Sequence, residues 1–186
     1  MPETAPIGVS PRHTSEPRDA RLALDPTATA HLVVGPTGDE AVECLLSEGS
    51  AVAAVVEPLL LGVQARDVPG LLAALDDALA RATVGVRVYA AGSEALVRDV
   101  THHARAAGLS DAEIVSAVTG TRARRIWCVH CSEITDGVTT STAPCAGCGR
   151  TLIAYHHYSR RRNAYLGFQA DAELPGDLPE PEPLWP

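Results

Sequence analysis

Apolar residues between about residues 30 and 115 recur in two alternating patterns. Short apolar runs at residues 31–34, 51–56 and 84–90 predict three β-strands. The segments between and after them place leucine and valine at helical spacing, which predicts amphipathic helices. Strands that alternate with helices through short turns are typical of a small α/β unit with a parallel sheet.

Helix-start signals fit the same rhythm. We predict four helices, the last one short, and capping residues mark the start of three of them. Their start signals are Thr37 with Glu40, Asp67 or Pro69, Ser93, and Ser110 with Glu113.

The pattern changes after the arginine-rich residues 122–125, where cysteines, turn residues and a β-leaning segment at 151–158 replace the α/β rhythm. We therefore place a domain boundary near residues 121–126 and expect four segments. These are a disordered N-terminal segment (1–28), an α/β domain (29–122), a four-cysteine domain (123–170) and an acidic, proline-rich tail (171–186). The tail is either an extended arm along a partner or disordered.

Four of the five cysteines form two C-x-x-C pairs separated by 13 residues. They are Cys128, Cys131, Cys145 and Cys148. Two such turns facing each other supply the tetrahedral sulfur cage that zinc accepts, so we expect one structural zinc ion. Mononuclear iron and an iron–sulfur cluster are alternatives, as are four free thiols. We expect His130 not to be a ligand because of its side-chain direction, and Cys44 to be a small core residue.

Composition narrows the class of protein. All 15 basic residues are arginine, which excludes a Schiff-base or P-loop lysine. A net charge of −8 disfavours general nucleic-acid binding, because an acidic chain gains no affinity from counterion release. No signal peptide or membrane span is apparent, so we expect a cytoplasmic protein, where paired cysteines favour metal over disulfides.

A basic cluster beside aromatic residues is a weaker candidate site. Arg160, Arg161, Arg162 and Tyr165 could grip an acidic partner surface or an anionic ligand through bidentate contacts. The cluster also fits a solvated face that anchors the tail, or nucleic acid.

Residues 88–96, Val-Tyr-Ala-Ala-Gly-Ser-Glu-Ala-Leu, resemble the last strand–turn–helix of the nicotinamide-binding domain in ferredoxin reductase-type flavoenzymes. That family usually has cysteine where Ala91 stands and proline where Ser93 stands. The first glycine-rich turn is reduced to residues 34–38. The resemblance implies a degenerate, Rossmann-like reductase domain kept for docking.

Taken together, residues 30–182 resemble the DmmA-type small subunit of dimethylamine monooxygenase. The match rests on both cysteine pairs, on residues 157–168 and on the acidic residues 171–177. It implies an accessory subunit of a multicomponent NAD(P)H-dependent monooxygenase that acts on a methylamine. Such a subunit scaffolds or relays electrons between haem and flavin/iron–sulfur partners, and carries no flavin, haem or catalytic residue itself.

Two other functions remain open from the residues alone. One is a stand-alone, rubredoxin-like electron carrier, because four thiolates also hold a single iron. The other is a zinc-ribbon nucleic-acid adaptor, because zinc ribbons with nearby arginines and aromatics often serve there.

Overall fold

The computed structural model describes residues 15–17 and 19–184. It divides into two compact units between Arg124 and Arg125. We call residues 19–124 the first unit, and residues 125–184 with 15–17 the second unit. Of the N-terminal segment expected to be disordered, residues 1–14 and 18 lie outside the described residues.

The first unit alternates strands and helices along the whole of its length. Its elements are β1 (Ala30–Pro36), α1 (Glu40–Gly49), β2 (Val55–Leu61), α2 (Val68–Arg81), β3 (Val86–Gly92), α3 (Glu94–Ala106) and β4 (Ile114–Val118). The four strands are all parallel, in the order β2-β1-β3-β4. The predicted α/β class with a parallel sheet is confirmed.

Helices cover both faces of this sheet, so its central strands are apolar on both sides. Val33 of β1 and Ala91 of β3 pack with α1 through Val42 and Leu45. Val34, Val88 and Ala90 face the other way, into a larger cluster with the buried sides of α2 and α3. None of the helices among the described residues combines the length and apolar character needed to cross a bilayer.

One strand prediction and one helix prediction for this unit are wrong. The second strand runs from Val55 to Leu61, and not over residues 51–56, because the chain turns after α1 and pairs with β1 from Val55 onwards. Pro58 is tolerated there because β2 is an edge strand. A fourth strand, β4, replaces most of the predicted fourth helix. The Ser110–Glu113 capping box forms, but its helix is a single 3₁₀ turn, and the β-branched residues after it pair with β3.

The first helix is capped by a different residue from the one predicted. Asp39 is the N-cap of α1, and its carboxylate accepts hydrogen bonds from the backbone N–H groups of Ala41 and Val42, at 3.0 and 3.3 Å. Thr37 instead donates its hydroxyl to the carbonyl of Leu61. The cap expected at Ser93 is present, and the second helix, expected to start at Asp67 or Pro69, starts at Val68 with Asp67 as its cap.

Residues 19–28 make defined contacts with the first unit. Leu22 and Leu24 pack against the cluster beneath α1. Asp25 accepts a hydrogen bond from Arg87 at 3.1 Å, and its backbone N–H donates to the Tyr89 hydroxyl at 2.8 Å. The apolar residues of this stretch therefore close one edge of the core.

The second unit is a small β module. Its strands are β5 (Arg124–Cys128), β6 (Ile134–Val138), β7 (Thr142–Pro144), β8 (Thr151–Ser159) and β9 (Ala164–Gln169), in the order β6-β5-β9-β8-β7. Its core cluster holds seven buried residues, and two of them are cysteines: Ile126, Cys128, Val138, Cys145, Leu152, Tyr158 and Tyr165. A core this small needs an additional stabilising element.

The described part of the tail folds back onto the second unit. The backbone N–H of Ser141 donates to the carbonyl of Glu182 at 2.7 Å, and the N–H of Leu184 donates to the carbonyl of Thr139 at 3.0 Å. Leu184 also packs against the core cluster. Residues 185 and 186 lie outside the described residues.

Candidate metal centre

Both cysteine pairs are built on the same backbone turn. In the first, the N–H of Ser132 donates to the carbonyl of Cys128, and the N–H of Cys128 donates to the carbonyl of Glu133, both at 2.9 Å. In the second, Gly149 and Arg150 repeat these two bonds with Cys145, at 3.0 and 2.8 Å. The repeated pattern holds each pair of sulfurs on one tight turn.

Each turn depends on one residue in the left-handed region. Ser132 has φ 66° and Gly149 has φ 71°. Glycine adopts this conformation without strain, whereas a serine there costs free energy that the surrounding turn must offset.

The four sulfur atoms come together between these turns. They all lie within 4.8 Å of one another. The Sγ atoms of Cys128 and Cys148 are 3.9 Å apart, and those of Cys131 and Cys145 are 3.6 Å apart. A tetrahedron of sulfurs, each about 2.3 Å from a central ion, has edges of about 3.8 Å. The four cysteines therefore cluster as in a zinc ribbon and could hold one metal ion.

A close approach between the two turns makes this geometry possible. A Cβ atom added at Gly147 would lie 2.8 Å from the Cβ of Glu133 and 3.2 Å from the Cys131 sulfur. Glycine at this position lets the second turn sit against the first. Cys128 and Cys145 are buried, whereas Cys131 is exposed, so one edge of the sulfur cluster faces solvent.

Backbone N–H groups point at the sulfurs and change their acidity. The N–H of Arg150 lowers the pKa of Cys148 to about 6, and the N–H of Cys148 lowers the pKa of Cys145. The N–H of Glu133 also lowers the pKa of Cys131, but burial and the three neighbouring sulfurs raise it to about 11. Four thiolates this close repel one another and need a cation between them.

The two remaining candidates for this centre lie outside the cluster. His130 is exposed and is not a member of any metal-compatible group among the described residues. Cys44 of α1 was expected to be a small core residue. It is exposed instead, and its sulfur lies 3.8 Å from a carboxylate oxygen of Glu48. The helix turns its other side, with Val42 and Leu45, toward the sheet.

The basic cluster divides between the surface and the core. Arg160, Arg161 and Arg162 are exposed in the turn between β8 and β9. Tyr165, in contrast, is 2% exposed and packs edge-on against Tyr158 at 5.2 Å, so its ring is not available to a partner. Alternation along β9 explains the difference, since Tyr165 points to the core side of the sheet.

One contact near this cluster was not expected from the sequence. The Arg162 guanidinium lies over the Trp127 ring, 4.7 Å from its centroid. These residues are 35 positions apart and meet only because β5 pairs with β9. No local signal in the sequence predicts such a contact.

Comparison with known proteins assigns a family to this fold. Two family models match, the N-terminal domain of the dimethylamine monooxygenase subunit DmmA-like family over residues 50–114 and its C-terminal domain over residues 125–168. The chain belongs to the DmmA-like family. The C-terminal match contains all four clustered cysteines, so the candidate metal centre lies within the family's own C-terminal domain.

A curated relative of this DmmA-like chain is the delta subunit of a heme-dependent oxidative N-demethylase from Ectopseudomonas mendocina (strain ymp). The two are 38% identical over 101 residues, which is 54% of this chain. The match spans 58% of the length of that relative. No solved structure matches the chain.

Proposed function

We propose that this chain is a non-catalytic accessory subunit of a multicomponent, NAD(P)H-dependent monooxygenase that oxidatively N-demethylates a methylamine. The match to both DmmA-like domains carries the proposal. The relative named as a delta subunit of a heme-dependent oxidative N-demethylase supports it. In this proposal the partners are haem and flavin/iron–sulfur subunits. The chain works in the cytoplasm, where thiols stay reduced and free for metal.

The role we propose within the complex is to scaffold the partner subunits or to relay electrons between them. Four cysteine ligands complete a tetrahedral shell and leave no open position for a substrate or water. A site of this kind supplies structure, and with iron it can also supply one-electron transfer. Neither role requires this chain to hold haem or flavin.

We propose zinc as the resident ion, bound by Cys128, Cys131, Cys145 and Cys148. The sulfur spacing fits a tetrahedral site, and a module whose hydrophobic core cluster has only seven buried residues needs the folding free energy that zinc supplies. In zinc-finger peptides that contribution is about 10–16 kcal/mol. Zinc has no redox chemistry under cellular conditions, so a zinc site favours the scaffold role.

A rubredoxin-like iron site is the second candidate, and the solvent-facing Cys131 favours it because electrons can enter at an exposed sulfur. Elemental analysis and a visible spectrum of protein purified without added metal distinguish the two ions. We expect one zinc per chain and no colour. Bound iron with sulfur-to-iron charge-transfer bands would favour the electron-relay role over the scaffold role.

For the first unit we propose a degenerate, Rossmann-like reductase domain that no longer binds a dinucleotide. A pocket of about 660 Å³ lies where β1 leads into α1, and it is lined by Asp39 and Glu40 as well as Thr119. Dinucleotide folds place the pyrophosphate at this helix N-terminus. Here two carboxylates at the same position repel phosphate.

We therefore predict that NADH and NADPH do not bind the purified chain. Calorimetric titration should give no heat of binding beyond dilution at millimolar nucleotide. The double variant Asp39→Asn/Glu40→Gln removes both charges and serves as the matched comparison. Saturable binding by the unaltered protein would show that the first unit is a working nucleotide domain.

Reconstitution with and without this chain tests its place in the oxygenase. The other subunits are purified separately and assayed for methylamine N-demethylation with NADPH, and this chain is then added back. We expect the turnover rate to rise several-fold on addition, because an accessory subunit positions redox partners. Equal rates with and without the chain would contradict the proposal.

A further inference from the structure

One face of the second unit's sheet carries a contiguous group of large apolar side chains. Trp127 lies opposite Leu166 in the β5–β9 pair, and Ile153 lies opposite Phe168 in the β8–β9 pair. Tyr155 meets Phe168 edge-on, with ring centroids 5.7 Å apart. We call these five residues the aromatic face.

The aromatic face points away from the core of the unit. The residues next to it along the strands point to the opposite side, into the core cluster; they include Ile126, Leu152 and Tyr165. Tyr155 is 45% exposed and Phe168, the only phenylalanine of the chain, is 42% exposed. Aromatic residues are only 4% of this chain, so three of them on one partly exposed sheet face is a concentration that folding does not require.

Arginines border this face at the β8–β9 turn. Arg162 lies over Trp127, which leaves the edge of its guanidinium free to donate hydrogen bonds outward. Arg161 is exposed beside it. Among residues 15–17 and 19–184, neither Arg161 nor Arg162 makes an ion pair. An aromatic centre with an arginine rim is the composition that protein interfaces enrich.

We propose that the aromatic face and Arg161 form a docking surface for an acidic protein surface with an apolar centre, presented by another subunit of the oxygenase. This proposal rests on the proposed function. The aromatic rings supply the desolvated centre, and the arginine rim pairs with carboxylates on the partner. The positive rim on a chain of net charge −8 gives the partner one patch of opposite charge to recognise.

Single-stranded nucleic acid also stacks on aromatic rings beside arginines, but the charge distribution favours protein. Nucleic-acid affinity comes mainly from neutralised phosphates. The second unit offers only a short basic turn to the phosphates of a nucleic acid. Asp171 and Glu173 follow the end of β9 and would repel further phosphates. A protein surface with a few carboxylates matches so small a basic patch.

The test measures the affinity of the full chain for each of the other subunits, purified one by one, using an optical biosensor. Phe168→Ala should raise the Kd about 30-fold, as expected when a central aromatic anchor is removed. Arg161→Glu should slow association and reverse its salt dependence, since a rim charge acts mainly on the encounter rate. Leu174→Ala, also at an exposed apolar residue of the same unit, and Arg66→Glu, on the first unit, are the matched controls and should bind like the unaltered chain.

Each outcome is decisive. If the unaltered chain binds a subunit and all four variants bind equally well, the docking surface is wrong and the proposed function stands. If the unaltered chain binds no subunit, both are wrong. A fluorescent 15-nucleotide single strand is included as a second probe, and binding to it that Phe168→Ala abolishes would assign the aromatic face to nucleic acid and overturn the proposal.

Discussion

At the scale of residues, the second cysteine turn uses glycine where the first uses serine. Gly149 and Ser132 have nearly the same positive φ, and each donates to the carbonyl of the first cysteine of its pair. The backbone hydrogen bonds therefore hold the turn in this geometry, and glycine alone does not determine it. Substitution of a cysteine in either turn should therefore weaken the contact between the two turns.

Cys145→Ser should unfold the second unit and leave the first intact. Cys145 is buried and belongs to the core cluster as well as to the proposed metal site, so the change should remove both metal affinity and packing. We expect loss of bound metal, loss of the β-type circular dichroism signal, and an unchanged thermal transition of the α/β unit.

Cys44→Ser is the matched control, because Cys44 is the one cysteine on the exposed side of a helix and outside the cluster. This variant should retain its full metal content and the thermal unfolding transitions of both units. Equal metal content in Cys145→Ser and Cys44→Ser would contradict the site.

His31 should make the first unit sensitive to mild acid. Its side chain is 0% exposed, beside Tyr89 at 3.2 Å and near Asp25 and Arg87, and burial lowers its pKa below the usual 6.5. The unfolded chain therefore binds a proton that the folded one does not, and stability falls as the pH drops below about 6.5. The melting temperature of the first unit should decrease from pH 7 to pH 5.

His31→Leu should flatten this dependence, because leucine fills the site without titrating. His102→Leu, at a half-buried histidine of α3, should keep the slope of the unaltered protein. Identical slopes in all three proteins would show that other groups set the acid sensitivity.

At the scale of elements, local sequence correctly predicted two of the four helix starts, whereas the limits of the strands depend on distant residues. Asp67 and Ser93 cap their helices as expected, because capping depends on a few neighbouring residues. The limits of β2 and the existence of β4 depend on register with β1 and β3, which lie far away in the sequence. The capping box at Ser110 is a correct local signal, but strand pairing limits it to a single turn.

Helix α2 should contribute stability mainly through its buried side. Leu75 is 0% exposed and belongs to the larger core cluster, so Leu75→Ala should cost about 2–5 kcal/mol of unfolding free energy. Chemical denaturation of the first unit measures the change. Val84→Ala, at a residue that is 96% exposed, should stay within about 0.5 kcal/mol of the unaltered protein. A similar loss of unfolding free energy in both variants would show that Leu75 is not part of the core.

At the scale of the whole molecule, the clustering of the four cysteines was predictable, but the surface around it was not. Cysteine spacing encodes a local turn, and two such turns have few ways to meet. The stacking of Arg162 on Trp127, the burial of Tyr165 and the return of the tail to Ser141 follow from strand order in the second unit. Strand order is set by long-range pairing that a single sequence does not display.

Metal removal should lower the melting temperature of the second unit and leave that of the first unit unchanged. A strong chelator at neutral pH should lower or abolish the transition of the second unit, because the proposed metal ion stabilises its small core. The first unit has its own clusters on both faces of its sheet and should melt unchanged. Calorimetry with and without chelator, followed by zinc add-back, measures both. A shift of both transitions together would show that the units unfold as one.

The exposed position of Cys44 has a practical consequence. When metal occupies the four clustered thiolates, this residue is the remaining thiol of the chain, and it lies at the surface of α1. A maleimide dye should therefore label the protein once, on the first unit, without chemical protection of the other cysteines. A fluorophore placed there would report directly on binding of this unit in the proposed complex.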